Sequence, residues 1–381
     1  MDESVNEKKS FKYSTEFQIA TQLKSWMAIN IGFGCIWDCV YCIQHKDKFF
    51  AESNYKTFNK KHSPEEAVGE IMASPRITSK TPLTFYNFSD PFLPQNTSDL
   101  IKMLLELDKR KFKNIVGLIT RTFADSDTLD AIANLNNIKP IILVSYTGYE
   151  NKLIESGPLS MRIKLAEELK KRNVPVLQYL RPIVREWLEK DQFKKARDSL
   201  GNLIKGVVMS GIRVTPEIKK RIIDKGLPVP NVPNYTNKFF PKDIQEEILE
   251  VYKDVVPVYR YTSCGISAIL KIPDYNAHLG FFRETQNKLF AECPLPCREG
   301  QSKICGSCSP HEKAKIKDLL GRICQKDVGF DIISSGAVYL DKEIPKEDLT
   351  FLRHNTSCHV DYARNKHHID QVVNIEIEST K

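Results

Sequence analysis

Short apolar runs alternate with amphipathic helical patterns along the first part of this 381-residue chain, and this alternation constrains the fold most strongly. Each run is bounded by turn residues, and each helical pattern repeats its apolar residues every three or four positions. Strands are expected at 26–31, 83–87, 115–120, 140–146, 175–180 and 206–209, and helices at 64–73, 97–107, 125–135, 160–171 and 193–203. Six strands alternating with helices predict a parallel sheet of β/α units, which right-handed crossovers can curl into an open partial barrel.

A proline-rich segment divides the remainder of the chain. Residues 226–241 contain four prolines and few helix signals, so we interpret them as a linker. They would separate a barrel domain at 23–225, preceded by a polar lead-in at 1–22, from a smaller domain at 242–381. The expected class is therefore α/β, a partial (β/α)6 barrel followed by a Cys-rich, metal-binding C-terminal domain.

Composition limits where the protein works and what it contacts. No run of eighteen apolar residues predicts a transmembrane helix, and the polar N-terminus lacks the apolar core of a secretion signal. We therefore expect a cytoplasmic protein with no membrane partner, in which thiols stay reduced and ten cysteines indicate metal binding rather than disulfides. The formal net charge of +8 is compatible with a polyanionic partner, but ordinary cytosolic proteins also reach it.

Three cysteines lie in one short loop directly after the first expected strand. Cys35, Cys39 and Cys42 follow the spacing C-x3-C-x2-C and offer three thiolates. Three thiolates can bind three irons of a [4Fe–4S] cubane and leave the fourth iron open. A zinc loop is the alternative, and it would need a fourth ligand, for which His45 is the nearby candidate.

This spacing, with the aromatic Tyr41 before the last cysteine, resembles the radical S-adenosylmethionine (SAM) superfamily. The resemblance implies that the open iron chelates SAM, and that reduction splits SAM into methionine and a 5′-deoxyadenosyl radical that abstracts hydrogen from a substrate. It also implies an electron donor such as flavodoxin or ferredoxin. Tyr41 would lie near the adenine, although a loop tyrosine can also serve packing alone.

Polar residues that follow the later strands are candidate SAM contacts. The resemblance implies that Ser89 and Asp90 grip the methionine amine, and the cation of Arg121 can hold a carboxylate by a charge-assisted bond. The residues after the fourth strand are candidates for the ribose hydroxyls. Each can instead make an ordinary strand-end hydrogen bond. In chain order the candidates are Ser89, Asp90, Arg121, Ser145, Thr147, Arg181 and Ser210.

The order of these pieces is similar to the spore photoproduct lyase-like branch of the superfamily. The similar segments are 89–91, 120–121, 156–162 and 260–264. The chain departs from that branch because it has no cysteine between Cys42 and Cys264, whereas photoproduct lyases carry a hydrogen-donating cysteine near the SAM mouth. We therefore expect a structural relative of the branch with a different activity.

Seven further cysteines lie in the last third of the chain, and four of them fall within sixteen residues. Those four predict a second metal site, either tetrahedral zinc or an auxiliary [4Fe–4S] cluster. They are Cys293, Cys297, Cys305 and Cys308. Cys264 is the candidate catalytic residue, as a hydrogen donor facing the barrel mouth, with a fourth ligand or a buried thiol as alternatives. We interpret the His-rich tail around His354 and His359 as a solvated surface, with a metal site as the alternative.

Three functions are compatible with these features. The first is a radical SAM enzyme acting on an unidentified substrate, for which the branch and the basic charge favour a nucleic acid or nucleotide. The second is a radical SAM enzyme that modifies a peptide or protein and uses an auxiliary cluster. The third is a non-catalytic iron–sulfur redox sensor, which would have no use for a SAM-binding mouth.

Overall fold

An open sheet of eight strands forms the centre of the protein. The computed structural model describes residues 17–46, 56–232, 240–278, 301–305, 312–332 and 337–362. Its strands are β1 (Ala20–Gln22), β2 (Met27–Ile29), β3 (Gly32–Phe33), β4 (Asn59–Lys60), β5 (Leu83–Phe85), β6 (Ile115–Thr120), β7 (Lys139–Ser145), β8 (Val176–Ile183), β9 (Gly206–Gly211), β10 (Val258–Tyr259), β11 (Phe330–Ile332), β12 (Val338–Leu340) and β13 (Val360–Tyr362). The central sheet has the order β1-β2-β5-β6-β7-β8-β9-β10.

Among the described residues, seven helices connect successive strands of this sheet and four follow its last strand in the chain. They are α1 (Pro64–Ala73), α2 (Pro94–Lys109), α3 (Ser126–Ala133), α4 (Leu159–Lys171), α5 (Gln192–Leu200), α6 (Pro216–Asp224), α7 (Lys242–Tyr252), α8 (Thr262–Leu270), α9 (Gln301–Ile304), α10 (Lys313–Arg322) and α11 (Lys346–Thr356), with short 3-10 turns at Ile43–Lys46 and Arg185–Trp187. From β2 to β10 the neighbouring strands of the sheet run parallel, as β/α units require, and β1 is antiparallel to β2.

The two faces of the sheet bury different cores because side chains alternate along each strand. On β7, Ile142 and Val144 join the large outer core formed with the helices, whereas Ile141 and Leu143 join an inner core. Helix α8 covers this inner face so closely that a Cβ at Gly265 would lie 3.0 Å from a methyl group of Val208. At the carboxyl ends of the strands, this inner face leads into the space where the candidate site lies.

All six expected strands and all five helices expected between them form. The bounds of β6 and α1 agree with the expectation, and the others differ at their ends. The sheet has more strands than the six that were expected, because β1 and β10 extend it to eight. Strand β1 lies within the segment expected to be a loose lead-in, where pairing with β2 holds it.

A smaller unit in the C-terminal part consists of a three-stranded sheet, β11-β12-β13, with α10 and α11. It has its own apolar core and docks on the first part of the chain through an ion pair of 2.6 Å between Asp348 and Arg76.

The expectation that His354 and His359 lie on a solvated surface was wrong, because they are 1% and 3% exposed. Among the described residues no helix is long and apolar enough to span a membrane.

The Cys-rich segment is described only in part. Cys305 follows α9 and is buried, whereas three of its predicted fellow ligands lie outside the described residues. These three are Cys293, Cys297 and Cys308. The predicted four-cysteine metal site therefore stays a prediction.

Candidate functional site

The loop that carries the first three cysteines begins at a glycine that no other residue can replace without strain. Gly34 has φ of +114°, and a Cβ there would lie 2.2 Å from the carbonyl oxygen of Thr57. The backbone N–H of Gly34 donates to the carbonyl of Phe88 at 3.1 Å, and the Ser89 hydroxyl donates to the Gly34 carbonyl at 2.5 Å. The loop is thus fastened to the segment that follows β5.

The three thiols of this loop lie in a largely buried environment. Burial raises the pKa of the Cys39 thiol to about 11, against the opposing effect of the Arg121 guanidinium. Burial and the charge of Asp90 raise the pKa of Cys35, and Cys39 and Cys42 add to this effect because they lie nearby. Metal ions that bind these sulfurs would displace the protons and convert the thiols to thiolates.

An iron–sulfur cluster fits this donor set better than a single zinc ion. Each thiolate of a cubane binds a separate iron, so the sulfurs need not converge on one point. In the described part of the chain, neither His45 nor the three loop cysteines belong to a group of three ligand atoms within 4.8 Å of one another. One zinc ion would require such convergence.

Arg121 contacts several of the predicted site residues at once. It continues the inner-face register just after β6, and its Nη1 donates to Cys39 Sγ at 2.6 Å. Its Nη2 donates to Ser145 Oγ at 3.0 Å and to the Tyr41 hydroxyl at 3.2 Å, while Asp90 accepts from its backbone N–H at 2.9 Å. The structure therefore gathers Tyr41, Asp90, Arg121 and Ser145 around the cysteine loop.

A buried ion pair lies behind Tyr41. The tyrosine hydroxyl donates a short hydrogen bond to Glu155, whose other oxygen is 2.7 Å from Arg162. The side chains of Glu155 and Arg162 are 0% and 1% exposed. Burial opposes ionisation of Glu155, but the cations of Arg121 and Arg162 outweigh it and hold the pKa of the carboxyl below its usual range. Sequence reasoning missed Glu155, although it immediately precedes the segment 156–162.

Two further contacts fix the middle of the cysteine loop. Trp37 Nε1 donates to Thr122 Oγ1 at 2.9 Å, and the ring packs on Gly157, where a Cβ would lie 2.5 Å from the indole. Asp38 forms an ion pair of 2.5 Å with Arg221 on α6. The loop is therefore held from both sides, by the segment before α4 and by the helix after β9.

Ser89 and Asp90 already have protein partners. Asp90 is 4% exposed and accepts from Thr120 Oγ1 at 2.6 Å as well as from the Arg121 backbone. Ser89 donates to the Gly34 carbonyl and accepts from the side chain of Asn96 at 3.0 Å. Both residues therefore tie together the loops that follow β3, β5 and β6.

Three remaining candidates differ in what they offer a ligand. Arg181 stacks on Tyr179, with its guanidinium carbon 4.3 Å from the ring centre, and donates to Thr262 Oγ1 at 3.3 Å. Ser210 is partly exposed on the same inner face, two residues beyond an inner-core position of β9. Thr147 is 0% exposed, so its side chain has no surface open to a ligand in this structure.

Cys264 lies on α8, apart from the cysteine loop in its contacts. Its thiol is 3.9 Å from Nδ1 of His278, which is in turn 2.8 Å from Asp274. Sequence reasoning missed Asp274 and His278, and their i, i+4 spacing near Cys264 was the available signal. The predicted catalytic role of Cys264 stays a prediction.

Comparison with known proteins gives matches in structure alone. No protein-family model and no curated protein matches this sequence. A spore photoproduct lyase mutant with bound AdoMet and dinucleoside spore photoproduct matches with a TM-score of 0.50 and 13% identity, over 66% of this chain and 80% of that chain. The lyase complexed with dinucleoside spore photoproduct gives a TM-score of 0.49 at 14% identity, over the same shares of 66% and 80%.

A further solved structure with some similarity is SuiB of Streptococcus suis bound to S-adenosylmethionine. Its TM-score is 0.43 at 12% identity, over 69% of this chain and 55% of that chain, which is too low to support an argument. The match to the lyase concerns the fold, since the sequences are 13% identical. The expected structural kinship is confirmed: this chain is a structural relative of spore photoproduct lyase, a radical SAM enzyme.

Proposed function

We propose that this protein is a radical SAM enzyme in which Cys35, Cys39 and Cys42 hold a [4Fe–4S] cluster whose open iron binds SAM. One observation carries the proposal. Three thiols of one loop lie at the carboxyl edge of a parallel sheet, and the guanidinium of Arg121 lies beside them, with its Nη1 2.6 Å from Cys39 Sγ. When bound, cluster and cosubstrate supply reductive cleavage of SAM to methionine and a 5′-deoxyadenosyl radical. The protein must bind, orient and exclude water from them.

Arg121 is proposed to hold the SAM carboxylate. Its guanidinium is planar and presents several donors, so it can keep a bond to Ser145 while a second edge turns to a carboxylate. Tyr41 lies beside it, and its hydroxyl is fixed by Glu155. This arrangement places a cation and an aromatic ring next to the cysteine loop in a largely buried space, where electrostatic attraction is stronger than in water.

Arg181 and Ser210 complete the proposed set of contacts from the ends of β8 and β9. Ser89 and Asp90 would have to exchange existing hydrogen bonds to touch SAM, and Thr147 would have to become exposed. We therefore propose that Ser89 and Asp90 support the site chiefly by fixing the loops. Flavodoxin or ferredoxin as electron donor, and a cytoplasmic location, stay predictions.

A nucleotide or nucleic acid is the proposed substrate class. Arg181 is partly exposed near the end of β8 on the inner face and offers a cation for a phosphate. The formal net charge of +8 agrees with an anionic substrate.

Anaerobic reconstitution with iron and sulfide tests the cluster and SAM binding together. The wild-type protein should bind about four more irons per chain than Cys39→Ala, as one [4Fe–4S] cluster requires. Cys324→Ala is the matched control, because Cys324 is exposed and outside the cysteine loop. SAM should change the electron paramagnetic resonance spectrum of the reduced wild type and of the control. Equal iron content in Cys39→Ala and wild type would contradict the proposed ligands.

A cluster that forms but does not respond to SAM would favour the redox sensor. The variant Arg121→Gln then tests SAM binding separately from cluster binding. It should keep the iron content of the wild type and lose SAM affinity by about tenfold or more, which corresponds to at least one charge-assisted hydrogen bond. Unchanged SAM affinity in this variant would remove Arg121 from the proposed contacts.

A further inference from the structure

A second group of potential metal ligands lies away from the cysteine loop. It consists of Cys264 on α8 and two residues of the segment that follows, Asp274 and His278. His278 Nδ1 is 2.8 Å from Asp274 Oδ2 and 3.9 Å from Cys264 Sγ, and the three ligand atoms all lie within 4.8 Å of one another. Among the described residues, no other three His, Cys, Asp or Glu side chains bring their ligand atoms this close together.

The spacing of these atoms suits one small cation. Zinc bonds to sulfur, nitrogen and oxygen are about 2.0–2.3 Å long, so ligand atoms of a tetrahedral site lie roughly 3.5 Å apart. The observed separations of 2.8 Å and 3.9 Å fall on either side of that value, so small side-chain shifts would admit the ion. A thiolate, an imidazole and a carboxylate are all common zinc ligands.

The group is held in place before any metal arrives. Asp274 is 3% exposed, and its carboxylate accepts from the backbone N–H groups of Asn276 at 3.2 Å and of His278 at 2.9 Å. The His278 ring stacks on Tyr261 with ring centres 3.8 Å apart and an angle of 11° between the planes. Fixed side chains lose little freedom when they bind an ion, which strengthens binding.

A fourth donor lies next to this group. Cys305 is buried, and its Sγ accepts from the backbone N–H of Asp274 at 3.3 Å. Gln301, one helical turn earlier, donates to the Ile272 carbonyl at 3.1 Å and so fixes the short helix α9 against the same segment. The two thiols come from parts of the chain about 40 residues apart in sequence, so only the fold brings them together.

We propose that Cys264, Asp274 and His278 bind one zinc ion, and that the thiol of Cys305 moves in as the fourth ligand, since its sulfur lies beside the compact group of three and not within it. Binding converts both thiols to thiolates and releases their protons to solvent. A zinc-bound Cys264 has no S–H hydrogen to give, so this role excludes the predicted role as hydrogen donor. The ion would fasten helix α8, which covers the inner face of the sheet, to the end of α9 within the Cys-rich segment. The proposal does not depend on the radical SAM activity.

Zinc titration of the full chain in competition with a chromophoric chelator tests the assignment. The protein is first stripped of metal under anaerobic conditions, and the Cys39→Ala background keeps iron out of the first loop. His278→Ala should lower zinc affinity by more than about 100-fold, since even groups that only orient a ligand are worth about 10–100-fold. The control is His62→Ala, because that half-buried ring lies outside the group. Affinity in His278→Ala equal to that of the control would overturn the proposal.

X-ray absorption of zinc in the unmutated protein gives a second test that no folding defect can obscure. The proposed site predicts two sulfur ligands and two nitrogen or oxygen ligands around zinc. A first shell of four sulfurs would overturn the proposal, since it would place the ion on the other cysteines. Each zinc–sulfur and zinc–nitrogen distance can be compared with about 2.3 Å and about 2.0–2.1 Å, respectively.

Discussion

Charge alternates through the buried residues beside the cysteine loop. The guanidinium of Arg121 lies between Cys39 and Tyr41, and the carboxylate of Glu155 lies between Tyr41 and Arg162. Each buried charge therefore has an opposite partner or a hydroxyl within hydrogen-bond distance. Such a network positions donors without help from water, but it makes each member costly to remove, because its partner stays buried and unpaired.

Replacing Glu155 by glutamine should lower the stability of the protein. The change leaves the Arg162 cation buried without its counter-ion, so we expect the free energy of unfolding to fall by about 3–5 kcal/mol. Urea denaturation of the metal-free protein measures it. The control is Glu168→Gln on α4, where little change is expected because the partner Lys171 is exposed and the other partner, Arg172, keeps its ion pair with Asp130. Equal stability of the two variants would contradict the role of the buried pair.

At the scale of elements, the cysteine loop depends on close contact with the segment before α4. Gly157 has φ of +90°, and a side chain there would clash with the Trp37 ring at 2.5 Å. Trp37 lies between Cys35 and Cys39 in the sequence. A displaced indole would therefore move the thiols that flank it, which links the packing of α4 to metal binding at the loop.

Gly157→Ala should lower both stability and iron binding. We expect a loss of about 1–3 kcal/mol, typical of an overpacked site with backbone strain, and a lower iron content after reconstitution. Gly69→Ala on α1 is the matched control, because nothing lies within 4 Å of the added methyl group. In a helix, alanine should raise stability by up to about 1 kcal/mol. Wild-type iron content in Gly157→Ala would show that the contact does not position the thiols.

The sequence predicts elements well where local signals agree. Helix α1 begins as expected because Ser63 caps it, Glu66 closes a capping box and Pro64 occupies its first turn. Strand β1 was not expected, since its three residues carry no alternating pattern and its position depends on pairing with β2. The cysteine loop could be predicted because its three cysteines are neighbours in sequence. Glu155 could not, because its partner Tyr41 lies far away along the chain.

At the scale of the whole molecule, the C-terminal unit is joined to the rest by buried polar contacts. Thr78 donates to Asn355 at 2.5 Å, and Nε2 of His354 lies 3.2 Å from the Lys24 carbonyl and 3.0 Å from Asn276. Both of these neighbours of His354 are oxygens, so Nε2 carries the proton and donates. The sequence could not reveal this contact, because a histidine is equally common at surfaces and in satisfied interior positions.

Acid should weaken this docking. Burial lowers the pKa of His354 from 6.5 to about 4, so the native ring stays neutral where the unfolded chain already binds a proton. Its contribution to stability is therefore complete above pH 6.5 and is lost as pH falls toward about 4, by about 1.4 kcal/mol per unit. Between pH 7 and pH 5, wild type should lose about 2 kcal/mol more unfolding free energy than His354→Asn.

The comparison needs a histidine that is not part of the docking contact. His62→Asn serves this purpose, because its side chain is 27% exposed. It should keep the steep wild-type dependence of unfolding free energy on pH. Burial also lowers the pKa of His45 and of His359, so His354→Asn should keep part of the dependence. A loss between pH 7 and pH 5 equal to that of the wild type would show that the His354 ring does not contribute.

Reductive cleavage of SAM is the most direct test of the proposed function. The reconstituted protein is mixed with SAM and dithionite without oxygen, and 5′-deoxyadenosine is quantified by chromatography. We expect 5′-deoxyadenosine from the wild type and from Cys324→Ala, and none from Cys39→Ala. A wild-type protein that carries the cluster and binds SAM, yet forms no 5′-deoxyadenosine with or without oligonucleotide, would contradict the account.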